Sequence, residues 1–235
     1  MIKTDRRTDY CDGVMYPFGT AYAFTSSEQH REYYDRWARQ YDAEFAEREG
    51  YDYPSRVAAL FRALAVEADG PVADIGCGTG LVGRALVSEM PSTAVYGFDI
   101  SAAMLDVAVD TGAYIDVAEV DLTSLHVSLP GAVAETPREG WPSGFGGVIS
   151  AGAFTMGHLP PDALVTIVRL GRPSALFVIG VNGQHFAQAD FASTLDGLRT
   201  ADVIGPWQVV EVPIFGETAC DDPTRVGAVA VFRLT

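Results

Sequence analysis

The chain of 235 residues contains a single lysine, Lys3, and no run of basic side chains. Its 16 lysines and arginines are outnumbered by 31 acids, giving a formal net charge of −15. A surface of that sign repels a phosphate backbone, so nucleic acid is not expected as a large partner; the plainer consequence is solubility. Cysteine is scarce too. Cys11, Cys77 and Cys220 are odd in number and lack CxxC spacing, which removes the basis for a disulfide framework or a structural zinc site and suits a reducing, cytoplasmic setting. The four histidines, His30, His126, His158 and His185, lack ligand-like spacing, so no metal is expected. No uncharged apolar run approaches the roughly 20 residues that span a bilayer, and no membrane partner is expected. Met1 to Tyr10 is polar, without the apolar stretch of a secretory signal. Internal repeats and low-complexity tracts are missing as well.

What is present is a chain that is 48% apolar, enough for one substantial core. Residues 1–25 read as irregular. Thr25 or Ser26 is placed to cap a helix that runs to about Glu49 and ends at Gly50. Tyr33, Trp37 and Tyr41 fall on one face of it, at i, i+4 and i+8. A second helix starts at Tyr53-Pro54 and runs to about Ala68, with Val57, Leu60, Phe61 and Leu64 as its apolar stripe. After Asp69-Gly70-Pro71 short apolar runs alternate with helical stretches. Strands are expected at 71–76, 94–99, 114–120, 145–151 and 174–181, and helices at 80–90, 101–110, 161–170 and 188–201. Two β-rich runs, 207–215 and 226–234, flank a polar turn at Cys220 to Arg225 and read as an antiparallel hairpin. The expectation is an α/β fold: a Rossmann-like, seven-stranded, mostly parallel sheet with helices on both faces. The Pro- and Gly-rich connection 123–144 reads as a surface insertion.

The densest signal is Val72-Ala73-Asp74-Ile75-Gly76-Cys77-Gly78-Thr79-Gly80, a strand that ends in alternating glycines ahead of a helix. Glycine lets the backbone turn sharply and approach a ligand closely at the carboxyl edge of a parallel sheet. Two cofactors fit this loop. Gly78-Thr79-Gly80-Leu81-Val82-Gly83 satisfies G-x-G-x-x-G, and Asp99, 19 residues past Gly80, is placed to grip ribose hydroxyls, as in a dinucleotide site. Against that reading, Asp74 puts a carboxylate where a diphosphate would not welcome it but an ammonium-bearing sulfonium compound would. Asp121-Leu122 ends the third strand at the same edge, suited to an adenine amine and ring nitrogen. An aromatic helix also precedes the first strand.

These motifs together resemble those of class I S-adenosylmethionine-dependent methyltransferases. Asp74 to Gly80 resembles their glycine-loop motif, and Gly97-Phe98-Asp99-Ile100-Ser101-Ala102-Ala103-Met104-Leu105 the following one. The latter resemblance implies that Asp99 binds both ribose hydroxyls and that Ile100 and Met104 pack on adenine. Glu119-Val120-Asp121-Leu122 resembles the motif around the adenine edge. More narrowly, Tyr34 to Asp42, Gly80 to Gly83 and Gly152 to His158 look like the Williams–Beuren-region methyltransferase-like group. That likeness implies an N-terminal helical lid over the cofactor, with Trp37 and Tyr41 facing it. The chain departs from the pattern at Pro173-Ser174-Ala175, where Pro-Gly-Gly is usual, and at Met156, where a second histidine is common.

The resemblance implies a lid segment over residues 1–68 and a methyltransferase core over 69–235. S-adenosylmethionine is the expected cofactor, S-adenosylhomocysteine the product, and a small molecule the expected acceptor. Gly76, Cys77, Gly78, Gly80 and Ser150 join Trp37, Tyr41, Asp74, Asp99, Ile100, Met104, Asp121 and Leu122 as expected cofactor contacts. Asp74 has a plainer role open to it, tying down the glycine turn, and the tyrosine–tryptophan stripe a plainer one as helix packing. Aromatic faces nonetheless suit a sulfonium. His158, just past the fourth strand, is the candidate base, because an imidazole titrates near working pH; its plainer role is to bond the next turn. His185 is a weaker candidate for lining the pocket. A non-catalytic S-adenosylmethionine-binding protein and an NAD(P)-dependent oxidoreductase are the rival readings. Ser150-Ala151-Gly152-Ala153-Phe154 differs from the Asn/Asp-Pro-Pro-Tyr/Phe sequences that grip an extruded base.

Overall fold

A computed structural model describes residues 8–11, 14–17, 24, 26–123, 129, 132, 138–216 and 225–235. Most of the 123–144 connection and the turn from Cys220 to Pro223 lie outside the described residues, as does His126. The first described elements, β1 (Thr8–Cys11) and β2 (Val14–Pro17), pair as an antiparallel hairpin, where an irregular segment was expected.

Helix α1 (Ser27–Trp37) is capped by Ser26, whose side chain accepts from the Gln29 amide. The continuous helix expected as far as Glu49 is interrupted. After a turn at 38–40 the chain resumes as a wider π-type helix, Asp42–Glu47. The wider turn sets Tyr41 and Phe45 against each other and Phe45 against Tyr51, with ring centroids 5.1 and 5.0 Å apart. Gly50, at φ +64°, closes the segment as expected. Helix α2 (Tyr53–Leu64) stops short of Ala68, because Ala65 turns to an extended conformation. A 3-10 turn, Glu67–Asp69, follows.

The main sheet begins with β3 (Val72–Ile75), buried throughout, as a strand covered on both faces must be. Next come α3 (Leu81–Glu89), β4 (Val95–Asp99), α4 (Ala102–Asp110) and β5 (Asp116–Glu119). The chain then returns to the other side of β3 with β6 (Phe145–Phe154), α5 (Asp162–Ile167) and β7 (Gly171–Asn182). The segment α6 (Gly183–Gln188), capped by Asn182, precedes α7 (Phe191–Thr200), which is shorter than the helix expected there. The last strands are β8 (Gln208–Pro213) and β9 (Val226–Arg233).

The strand order is β5-β4-β3-β6-β7-β9-β8, with β9 antiparallel to both neighbours and the other adjacent pairs parallel. This is the seven-stranded Rossmann-like arrangement expected, with the C-terminal strand inserted ahead of its predecessor. The order reverses between β3 and β6, so the crevice for a ligand opens at their carboxyl ends. β7 starts three residues earlier than expected. Ser174, in the Pro-Ser-Ala departure, stands within it at φ +66°, a conformation glycine adopts at less cost.

One face of the sheet packs Phe98, Phe145, Phe154, Phe177 and Phe191 with their helices. The other packs α2 and α3 through Tyr53, Val57, Phe61, Val82 and Leu86. Among the described residues no helix is long and apolar enough to cross a membrane.

Candidate functional site

The switch point is built by the glycine loop. Gly76 takes φ +64°, and a Cβ there would stand 2.3 Å from that of Ala153, so the ends of β3 and β6 meet only because residue 76 has no side chain. The loop is held by Asp99, which leaves β4 half-buried. One Asp99 oxygen accepts from the Gly78 amide and the other from Ser101, each at 2.9 Å. Burial raises this carboxyl's pKa, against the pull of those amides. On β5's side, Asp121 accepts from the Thr123 amide and hydroxyl at 2.9 and 2.6 Å. Burial pushes Asp121 up, but bonds from Thr123 and Ser27, with Arg31 nearby, bring it below its ordinary value.

These strand ends open onto a cavity of about 460 Å³. Gly76, Cys77, Gly78, Asp99, Ile100 and Met104 border it on one side, Asp121 and Leu122 on another. Tyr41, His158 and His185 also reach it.

Four of the expected contacts stand behind this wall. Asp74 is fully buried, with Oδ2 accepting from the Tyr114 hydroxyl at 2.7 Å. Burial pushes its pKa up to about 7; Tyr114 and the Gly83 amide pull down, and Asp99 pushes up. Ser150 is equally buried and donates to the Ile75 carbonyl at 2.7 Å, stitching β6 to β3. Gly80 begins α3 at φ +93° and faces Tyr114 and α4. Trp37 is buried among Tyr33, Tyr34, Tyr41 and Phe45, its ring 5.0 Å from that of Tyr41. Cys77 is buried, which pushes its thiol well above its ordinary pKa and leaves it a poor nucleophile.

Several residues at the site were not singled out in the sequence. Asp35, on α1, accepts from the Ser101 hydroxyl at 2.6 Å and the Ala103 amide at 3.3 Å, which ties the first helix to the start of α4. Asp42 accepts from Thr79 in the glycine loop at 2.5 Å and pairs with Arg84 at 3.6 Å. His30, Tyr34 and Tyr51 line the cavity with Phe24. The only hint was that Tyr34 and Asp35 lie inside the segment resembling the lid motif; Asp42 ends it.

Tyr34 meets His158 across the cavity, Oη to Nε2 at 2.8 Å. The other nitrogen of His158, Nδ1, lies 3.1 Å from the Met156 carbonyl. A carbonyl only accepts, so Nδ1 carries the proton and Nε2 is the lone pair that receives the Tyr34 hydroxyl. Burial holds the His158 pKa down to about 4, with His30 pushing the same way. The position of Met156 thus contributes its backbone, whatever its side chain. His185 Nε2 lies 3.1 Å from the Leu159 carbonyl.

Residues 72–169 match the family model of a methyltransferase domain. No curated protein matches the chain. Among solved structures, the chain resembles magnesium protoporphyrin IX methyltransferase from Synechocystis PCC 6803, solved with bound S-adenosylmethionine. Their identity is 16% and the TM-score 0.57, over 91% of this chain and 99% of the other. A methyltransferase complexed with the Trm112 activator from Haloferax volcanii is 18% identical with a TM-score of 0.54, over 86% and 96% of the two chains. A methyltransferase from Thermotoga maritima is 15% identical with a TM-score of 0.53, over 87% and 98%. At these identities the solved structures speak for the fold. Residues 72–169 thus match a methyltransferase domain, and the fold is one shared with solved S-adenosylmethionine-dependent methyltransferases. The Synechocystis enzyme has also been solved with bound S-adenosylhomocysteine.

Proposed function

We propose that the protein methylates a small molecule held in the cavity between the glycine loop and α1. The observation that carries this reading is the size and lining of the cavity. The cavity is roofed by His30 and Tyr34 of the first helix and floored by the ends of β3, β4 and β6. Its volume of about 460 Å³ falls in the range of small-molecule sites, roughly 300–1,000 Å³.

In this reading residues 1–68 supply the lid and 69–235 the core. Asp99, half-exposed at the cavity edge, takes the ribose hydroxyls. Ile100, Met104 and Leu122 pack on adenine, and Asp121 receives its amine. Gly76, Cys77 and Gly78 offer backbone to the methionyl end. Asp74, Gly80 and Ser150 act from behind by fixing that loop, and Trp37 by backing Tyr41. His158 is the candidate proton acceptor. When bound, S-adenosylmethionine supplies an already activated methyl group, whose bond to sulfur breaks as the bond to the acceptor forms. The protein's own task is then mainly alignment and water exclusion.

Calorimetry with S-adenosylmethionine and S-adenosylhomocysteine tests the cofactor half, and sub-millimolar binding of at least one is expected. A mass-spectrometric screen of small hydroxyl, amine and thiol compounds for a gain of one methyl group tests the acceptor half. Methylation confined to protein or nucleic-acid substrates would overturn it.

A further inference from the structure

One part of the cavity is left over once the cofactor contacts are assigned. His30 is 7% exposed and borders the cavity, yet neither ring nitrogen has a hydrogen-bond partner among the described residues. Burial holds its pKa below the ordinary value, against the pull of the Gly157 backbone. Its ring lies 4.2 Å from that of His158, centroid to centroid. A buried imidazole with both nitrogens idle loses hydrogen bonds that water once supplied, so something in the cavity is expected to restore them. We propose that His30, Tyr34 and His158 form the acceptor subsite, that it takes a small neutral compound presenting a hydroxyl on a flat ring, and that Tyr34 passes the hydroxyl proton to His158. This rests on the reading of the cavity as a methyl-transfer site.

The lining chemistry selects the class. No lysine or arginine is among the described residues that line the cavity, so an anionic acceptor finds no cationic side chain there. A hydroxyl both donates and accepts, and so can satisfy an imidazole nitrogen and the Tyr34 oxygen together. Phe24, Tyr34, Tyr41 and Tyr51 supply flat apolar walls, which suit a ring.

The proton path follows from the tautomer. His158 Nδ1 is spent on the Met156 carbonyl, and Nε2 already receives the Tyr34 hydroxyl. An acceptor therefore reaches His158 through Tyr34. The acceptor oxygen keeps the electron pair of its O–H bond for the new bond to carbon. Its proton goes to Tyr34 Oη as Tyr34's own proton goes to His158 Nε2. The phenol is regenerated and one imidazolium remains. Its positive charge replaces the one the sulfonium loses, so the cavity's net charge is unchanged. The imidazolium returns its proton to water when the products leave.

The test uses the full chain saturated with S-adenosylhomocysteine, with phenol, toluene and benzoate as probes. Calorimetry of S-adenosylhomocysteine alone comes first; its failure to bind overturns the underlying reading. Given that binding, phenol is expected to bind at least about tenfold tighter than toluene or benzoate. Tyr34→Phe and His30→Leu are each expected to erase most of that margin while leaving S-adenosylhomocysteine affinity within about threefold. Nitrogen-15 spectra of the imidazoles give a readout independent of any ligand: His158 is expected as the Nδ1–H tautomer, its Nε2 resonance shifting in Tyr34→Phe. Phenol binding no tighter than toluene, a margin that survives Tyr34→Phe, or an Nε2–H tautomer would each overturn the inference alone.

Discussion

Asp74 and Tyr114 are bonded inside the protein, carboxylate to phenol at 2.7 Å, although 40 residues separate them. The same phenol oxygen accepts from the Gly83 amide at 3.2 Å, so one side chain links β3 to the first turn of α3. Tyr114→Phe keeps the ring and removes both bonds. It is expected to cost about 1–3 kcal/mol, because the Asp74 carboxyl is left buried without its donor. Urea denaturation of the two proteins measures this as a lower midpoint at unchanged slope.

Gly83 has no room for a side chain. A Cβ there would stand 2.4 Å from the Tyr114 ring and 2.5 Å from its oxygen. Gly83→Ala is expected to destabilise the protein by more than the Tyr114→Phe change does. The double variant Gly83→Ala with Tyr114→Val should recover part of the loss, since the clash is with the ring. Recovery absent from the thermal melts would contradict this assignment.

Asp99→Ala removes the acceptor for Gly78 and Ser101 along with the proposed ribose ligand. S-adenosylhomocysteine affinity is expected to fall about ten- to a hundredfold, the worth of one or two hydrogen bonds to a charged group. Unchanged affinity by calorimetry would remove Asp99 from the site.

Asp35 and Asp42 fasten the first helical segment to both sides of the cavity, through Ser101 and Thr79. Asp35→Ala with Asp42→Ala is expected to speed amide exchange over residues 27–47, with little change in β3, β4 and β6. Exchange that rises equally in the sheet would show that these bonds serve the whole fold.

Acid and base act on different groups. His158 is held near 4, chiefly by burial, against about 6.5 when unfolded. Between those values the unfolded chain binds the extra proton, so this contribution to stability is present above 6.5 and is lost as the pH falls towards 4. Asp74 runs the other way. Raised to about 7, chiefly by burial, it is protonated when folded and ionised when unfolded between its ordinary 3.8 and 7, so stability is lost as the pH rises through that window. Asp74→Asn, whose carbonyl can still receive Tyr114, is therefore expected to gain on the parent protein steadily from pH 4 to 7. Denaturation midpoints across that range decide it.

The sheet was legible because buried parallel strands write themselves as short apolar runs, and Val72–Ile75 or Phe145–Phe154 can be little else. The glycine spacing was legible but double in meaning. Gly83 completes a dinucleotide pattern, and only the fold reveals that it clears space for Tyr114. Asp74 was visible as an acid in the loop but not as one facing inward, since what lies beneath a strand depends on a residue two strands away. The Tyr34–His158 bond joins positions 124 apart, and no local periodicity encodes it. Nor did any glycine or proline announce the π-type turn at Asp42–Glu47, where contacts among aromatics decide the winding.

The order of the last two strands has a consequence for synthesis. β8 leaves the ribosome before β9, yet among the described strands β9 is its sole neighbour in the sheet and also the strand that covers the open edge of β7. Until Arg233 has emerged, the nascent chain presents a long apolar edge with no strand to fill it and a spare strand with nowhere to dock. Such edges invite pairing between chains. The interval between the making of β7 and of β9 is thus when the protein depends most on being kept apart from its own copies.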